Sequence, residues 1–247
     1  MVKPILEIAV FSVEAALDAI KAGAQRVEFC ENPLEGGTTP SFGSLSTLIA
    51  LTSKPVFPII RPRGGDFFYT ENEFNAMRSD ILMARKLNYP GIVLGLLKAD
   101  GTIDTERTKR LVDLASPMEV TFHRAFDRCK DPFQALEEII KTGCKRILTS
   151  GQVPNAADNL PLIKKLVEQA GDRIIIMPGS GVRSNNIKDI MTETGAKEMH
   201  SSARKMLPTQ MHYFKATMQE ELLSTGIDAA EIKKMLEEIK SLSIAFQ

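Results

Sequence analysis

Residues 5–30, ILEIAVFSVEAALDAIKAGAQRVEFC, decide the fold. An apolar run over 5–10 is followed by a segment that places Val13, Ala16, Leu17 and Ile20 on one helical face. Gly23 ends that segment, and a second run follows over 26–30. A helical period between two short runs rich in Val and Ile reads as a β-α-β unit with parallel strands. The turn out of the first run is FSVE and holds no glycine. A doubly wound dinucleotide-binding sheet needs a glycine-rich turn there, so that phosphate can approach the backbone. The reading that remains is a closed (β/α)8 barrel.

Working outward, the unit repeats. Further runs at 56–60, 91–96, 119–123, 146–150, 173–177 and 197–200 end in glycine, proline or charge, as buried parallel strands do. Between them, 71–87 carries Phe74, Met77, Ile81 and Ala84 at helical spacing, and 131–142 carries Phe133, Leu136 and Ile140. Gly143, Gly171 and Gly195 mark helix ends as Gly23 does. Eight units in succession predict an α/β protein, a TIM barrel, as one domain over 1–247 with its core at 5–204. A connection and a closing helix are expected over 205–247. Asp228 would cap that helix, with Glu231 completing a capping box and Ile232, Met235, Leu236 and Ile239 facing inward. The Met-containing stretch 205–226 is a lid, an oligomer contact or a loose loop.

Composition narrows the partners. Hydrophobic content of 43% and charged content of 25% are globular values. Lys and Arg total 31, Asp and Glu total 31, and the net charge of +0 draws the molecule to neither nucleic acid nor an anionic membrane. Glu7 interrupts the first apolar run, no secretion signal is visible, and no segment approaches the roughly 20 apolar residues of a membrane span. The three cysteines lack CxxC spacing, so a reduced, cytoplasmic protein is expected.

Reactive residue types collect at the strand ends that form the active face of a barrel. The first strand carries Glu7, and the second Glu28 and Cys30. The third runs into IIRPRGGDFFY (59–69), with Arg61, Arg63 and Asp66. The fifth ends TFHRAFDRC (121–129), with His123, Arg124, Asp127 and Cys129. The seventh ends PGSGVRS (178–184) and the eighth HSSAR (200–204). The joints on the opposite face, such as KAGAQ and ETGAK, are plain.

Glu7 and Glu28 on adjacent strands would raise one pKa, hold a cation or be neutralised by a guanidinium, and a structural ion pair with Arg61 competes with a catalytic role. His123 and Asp127 are acid–base candidates, set against a hydrogen-bonded core histidine, and His200 is a weaker one. Arg61, Arg63 and Arg124 offer guanidinium forks for an anion, although Arg63 and Asp66 also suit an internal pair in a tight turn. Gly179, Gly181, Arg183, Ser202 and Arg204 would build the phosphate site that the last two barrel loops often form, with Ser184 or Asn185 capping the helix that follows. Cys30 and Cys129 could hold a soft metal with Met206, Met211 or Met218, against the alternative of small buried hydrophobes.

The motifs VEFCENPLEGGTTPS, IRPRGGDFFY, VTFHRAFD, ILTSG, GSGVR and HSSAR resemble the CutC family, named for copper homeostasis, over 6–204. The resemblance implies a cytoplasmic, oligomeric TIM barrel, expected as a homodimer. It also implies Cu(I) binding through Cys30, joined by Cys129, a methionine or His123. The chain departs from the family at Ala9, where LEIA replaces the usual LEVC, and at Ser180, where glycine is frequent. Two functions therefore stand: a copper-handling protein, or an enzyme for a small phosphorylated or carboxylated metabolite.

Overall fold

The computed structural model describes residues 4–245. Strands and helices alternate as β1 (Ile5–Val10), α1 (Val13–Ala22), β2 (Arg26–Phe29), α2 (Phe42–Leu51), β3 (Val56–Pro58), α3 (Glu71–Lys86), β4 (Gly91–Leu94) and α4 (Thr105–Ala115). They continue as β5 (Glu119–Phe122), α5 (Pro132–Thr142), β6 (Arg146–Thr149), α6 (Leu160–Ala170), β7 (Ile175–Pro178), α7 (Ile187–Thr194) and β8 (Glu198–Ser201). The hairpin β9 (Arg204–Leu207) and β10 (Ser224–Ile227) follows, then α8 (Ala229–Ala245).

Parallel ladders run in the orders β3-β2-β1-β8 and β4-β5-β6-β7. The Ile60 N–H donates to the Val93 carbonyl at 2.7 Å and joins the halves on one side. On the other, β7 lies against β8, so the barrel closes. Along each strand the side chains alternate. Leu6, Ile8, Val27, Phe29, Ile92, Leu94, Phe122 and Ile147 face outward and pack under the apolar stripes of the helices. A smaller cluster of Cys30, Phe57, Ile59 and Val93, with Phe11 against it, fills part of the interior.

Helix ends follow local chemistry. Ser12 accepts the Ala15 N–H at 3.1 Å to start α1, and Gly23, at φ 111, returns its N–H to Ala19 and Ile20 to end it. Thr70 and Glu73 form a reciprocal capping box at α3. Asp228 caps α8 as expected, accepting from Ala230 and Glu231 at 3.0 and 3.2 Å. The expected capping box does not form there. The Glu231 carboxylate reaches instead to Ser184, accepting its N–H at 2.7 Å and its hydroxyl at 3.0 Å. This cross-link ties α8 to the loop after β7. It also removes Ser184 from capping α7, where Asn186 stands at the N-cap.

The lower interior holds a buried ionic layer. Arg26 donates from Nε to Glu7 and from Nη2 to Glu198 at 2.5 Å. Arg146 donates to Glu198 at 3.2 Å and to Glu119 at 2.7 Å. Both guanidiniums lie 5.3 Å from the Phe57 ring. Gly91 gives the ring its space, since a Cβ there would stand 2.4 Å from it. Glu7 thus pairs with Arg26 and not with Arg61. The cause is register: Glu7 sits opposite Arg26 in the β1–β2 ladder, while Arg61 lies beyond the upper end of β3.

Residues 205–226 resolve into the antiparallel β9–β10 pair and an exposed connection between its strands. Met206, Met211 and Met218 are exposed on it. Among the described residues no helix is long and apolar enough to cross a membrane.

Candidate active site

A cavity of about 250 Å³ opens at the carboxyl ends of the strands. Its walls are Glu28 and Cys30 from β2, Arg61 and Phe67 beyond β3, His123 and Arg124 beyond β5, residues 180–183 beyond β7, and His200, Ser202 and Arg204 at β8. Ala9 lines it where the family resemblance expects a cysteine. Nine of the residues proposed from sequence therefore share one wall with His200.

At the base of the cavity, Glu7, His200 and Glu28 form a chain. His200 Nδ1 lies 2.8 Å from Glu7, and its Nε2 lies 3.6 Å from Glu28. The ladder pairs Glu7 with both Arg26 and His200, which sets the order of the charges. Burial pushes Glu7 up, but the Arg26 charge and the His200 hydrogen bond outweigh it and hold the carboxylate at about 2. Burial also raises Glu28, helped by the Glu7 charge and opposed by His200, and its pKa stands at about 7. His200 shifts upward: burial works against its charge, and the bond to Glu7 with the charges of Glu28 and Glu7 overcomes that. A carboxylate held ionised therefore anchors an imidazole whose cationic form it favours, and that imidazole faces a carboxyl that changes state near neutrality. Cys30 rises well above an ordinary thiol, through burial and the neighbouring Glu28 and Glu7 charges.

His123 differs. It is 4% exposed. Burial and the Arg61 charge lower its pKa to about 3, so the ring is neutral. Its Nδ1 accepts the Ala125 N–H at 3.1 Å. Gly95 makes room, for a Cβ there would sit 2.5 Å from Nδ1.

The rim is cationic. Arg204 lies over the Phe11 ring at 5.0 Å, and Arg183 is half-buried in the loop after β7. Neither forms an ion pair among the described residues. The N–H groups of Gly181, Val182 and Ser202 also meet no acceptor among the described residues. Ser180 and Gly181 both take positive φ, 79 and 69. Arg124 is partly engaged, donating to Asp127 at 2.7 Å and to Ser150 at 2.7 Å.

Glu7 lies below the cavity, and four more proposed residues lie outside its wall. Arg63 turns outward to Glu73 at 2.5 Å and Asp66 at 2.9 Å, and its turn is closed by its own ion pairs. Asp127 is buried beneath Arg124, where it accepts from Thr149, Ser150 and Gln152, so it organises the loops after β5 and β6. Cys129 is buried against Gln152, whose amide donates to its carbonyl at 2.7 Å, and burial raises its thiol to about 12. Gly179 serves packing: a Cβ there would meet Leu148 at 2.4 Å and His200 at 3.0 Å. Arg61 lines the cavity but is a clamp as well. It donates to the carbonyls of Glu35, Gly37 and Gly65 at 2.6, 2.8 and 2.9 Å and binds the loops after β2 and β3 together.

Sequence reasoning underrated His200 and missed Phe11 and Phe67. The polar run HSSAR at a strand end was the signal for the first. An aromatic in a loop gives no such signal.

The CutC family pattern matches residues 4–205. A CutC family protein of Parabacteroides distasonis is 53% identical over 212 residues, covering 85% of this chain and 87% of the relative. One from Salmonella paratyphi A is 49% identical over 209 residues, 85% of this chain and 84% of the relative. Among solved structures, a CutC protein from Streptococcus agalactiae, described in connection with copper homeostasis, superposes with TM-score 0.76 at 35% identity. It covers 81% of this chain and 98% of its own. Phosphoribosyl anthranilate isomerase from Thermotoga maritima shares the fold, with TM-score 0.59 at 15% identity, over 98% of this chain and 100% of that one. With its barrel, its strand-end motifs and these relatives in agreement, the chain belongs to the CutC family.

Proposed function

We propose that the protein binds a small anionic metabolite, phosphorylated or carboxylated, at the barrel mouth and moves a proton on it. The observation that carries this reading is the pairing of a cationic rim with an acid–base pair in one cavity. Arg183, Arg204 and the N–H groups of Gly181, Val182 and Ser202 are unengaged among the described residues, and Glu28 and His200 lie below them. Guanidiniums and backbone N–H groups together hold an anion through charge-assisted hydrogen bonds. A carboxyl with a pKa near 7 exchanges a proton at neutral pH with little penalty. At about 30 Å³ per water, a cavity of about 250 Å³ admits a compound of roughly eight non-hydrogen atoms.

Phosphate titration of wild type and of the double variant Arg183→Ala, Arg204→Ala tests the reading. Each lost charged hydrogen bond is worth about tenfold, so the double variant should bind at least about tenfold more weakly. Unchanged affinity would remove the rim from the function.

The copper-homeostasis description of the Streptococcus relative makes Cu(I) the second reading. The residues here fit it poorly. Soft Cu(I) calls for thiolate or thioether donors. Cys30 is a buried thiol held protonated, Ala9 replaces the family's cysteine beside it, and Cys129 lies outside the cavity. The methionines of 205–226 are exposed on the hairpin arm. Among the described residues no three His, Cys, Asp or Glu side chains converge as a metal site. A Cu(I) competition titration under reducing conditions should give weak binding that Cys30→Ser leaves unchanged. Tight one-to-one binding abolished by Cys30→Ser would reverse the order of the two readings.

A further inference from the structure

Two buried nitrogens on residues that line the cavity have no hydrogen-bond partner among the described residues: Nε2 of His123 and Nε of Arg61. Native interiors leave few polar atoms in that state, and an orphan in a cavity wall points to a missing ligand. The two orphans have the same sense. Because Nδ1 of His123 accepts the Ala125 N–H, the ring carries its proton on Nε2. Arg61 spends its Nη atoms on the carbonyls of Glu35, Gly37 and Gly65, and the Nε–H remains. Both are therefore donors, and only an acceptor satisfies them. A cation or a second donor would be repelled.

Phe67 relates the two. Its ring lies 4.9 Å from the His123 ring and 5.0 Å from the Arg61 guanidinium, and it lines the same cavity. Both nitrogens are shut off from solvent. Phe67 is half-buried and follows Gly64 and Gly65, the latter at φ +77.

We propose that His123 Nε2–H and Arg61 Nε–H form an oxygen subsite beneath Phe67, and that it receives the carbonyl or carboxylate oxygen of a small phosphate ester whose phosphate occupies the Arg183–Arg204 rim. This deepens the anion-site reading and rests on it. The rim grips the phosphate, and the two inner donors select for an acceptor oxygen at the other end.

The test compares 2-phosphoglycolate with ethyl phosphate at pH 6, where Glu28, with its pKa of about 7, is largely protonated and does not repel the carboxylate. Wild type should bind 2-phosphoglycolate about tenfold or more tightly, the worth of one charge-assisted hydrogen bond. His123→Phe should keep its affinity for ethyl phosphate and lose the preference. Nitrogen-15 NMR of wild type supplies a reading that does not depend on a variant folding. His123 should be the Nε2–H tautomer, and its Nε2–H resonance should move on adding 2-phosphoglycolate but not ethyl phosphate. An Nδ1–H tautomer or an imidazolium at pH 6 overturns the subsite. So does equal affinity for the two ligands, which leaves the anion rim standing. If neither ligand binds, the rim fails and the subsite falls with it.

Discussion

Glu28 shows what a single residue can report. Its carboxyl rises from 4.5 to about 7 on folding, mainly through burial. Between those values the folded state holds a proton that the unfolded chain has released. Stability from this group is therefore full below the lower value and is lost as pH rises through the upper one. Glutamine cannot ionise, so Glu28→Gln should gain stability over wild type as pH goes from 5 to 8. Thermal melts at the two ends decide it, and a difference that does not change with pH would place the group outside this account. Glu7 behaves oppositely, since its value of about 2 keeps its contribution until strongly acid pH. Both glutamates were legible as strand-end carboxylates. Their different roles were not, because burial and partners such as Arg26 and His200 are set by neighbouring strands.

At the scale of elements, α8 does more than cover the barrel. Glu231 accepts twice from Ser184 and so fixes the loop after β7 that carries Gly181 and Arg183. Glu231→Ala should cost about 1–3 kcal/mol, since it strands the Ser184 N–H, and should weaken phosphate binding without touching the cavity. Chemical denaturation and phosphate titration measure the two effects. Stability lost with affinity intact would separate the helix from the site. Asp228→Ala should cost about 1 kcal/mol through its cap alone and leave phosphate affinity unchanged. The sequence announced the cap, because an Asp before an apolar helical stripe is a local signal. It misassigned Glu231, because a capping box and a tertiary contact place the same demand on residue type, and only the position of the β7 loop chooses between them.

For the whole molecule, the ionic layer beneath the cavity is the largest risk the fold takes. Arg26 lies between Glu7 and Glu198, and Arg146 joins Glu198 to Glu119 across the barrel floor. Arg26→Met should cost about 3–5 kcal/mol at neutral pH by leaving buried carboxylates uncompensated. A denaturation midpoint near that of wild type would show that the layer relaxes or admits water. The sequence by itself determined the architecture. Helical and strand periodicities, glycine stops and the glycine-free FSVE turn are local, and eight repeats of one unit have few ways to bury their apolar faces other than closing into a barrel. It also determined at which end of the barrel the reactive residue types gather. Only the tertiary structure decided which residues meet. Register placed Arg26 beside Glu7, packing of the loop after β6 against the loop after β5 gave Asp127 its partners Thr149, Ser150 and Gln152, and barrel curvature brought His123, Glu28, Arg183 and Arg204 to one cavity from strands far apart in the chain. Side-chain partners across strands depend on register and packing, and neither leaves a mark in local sequence.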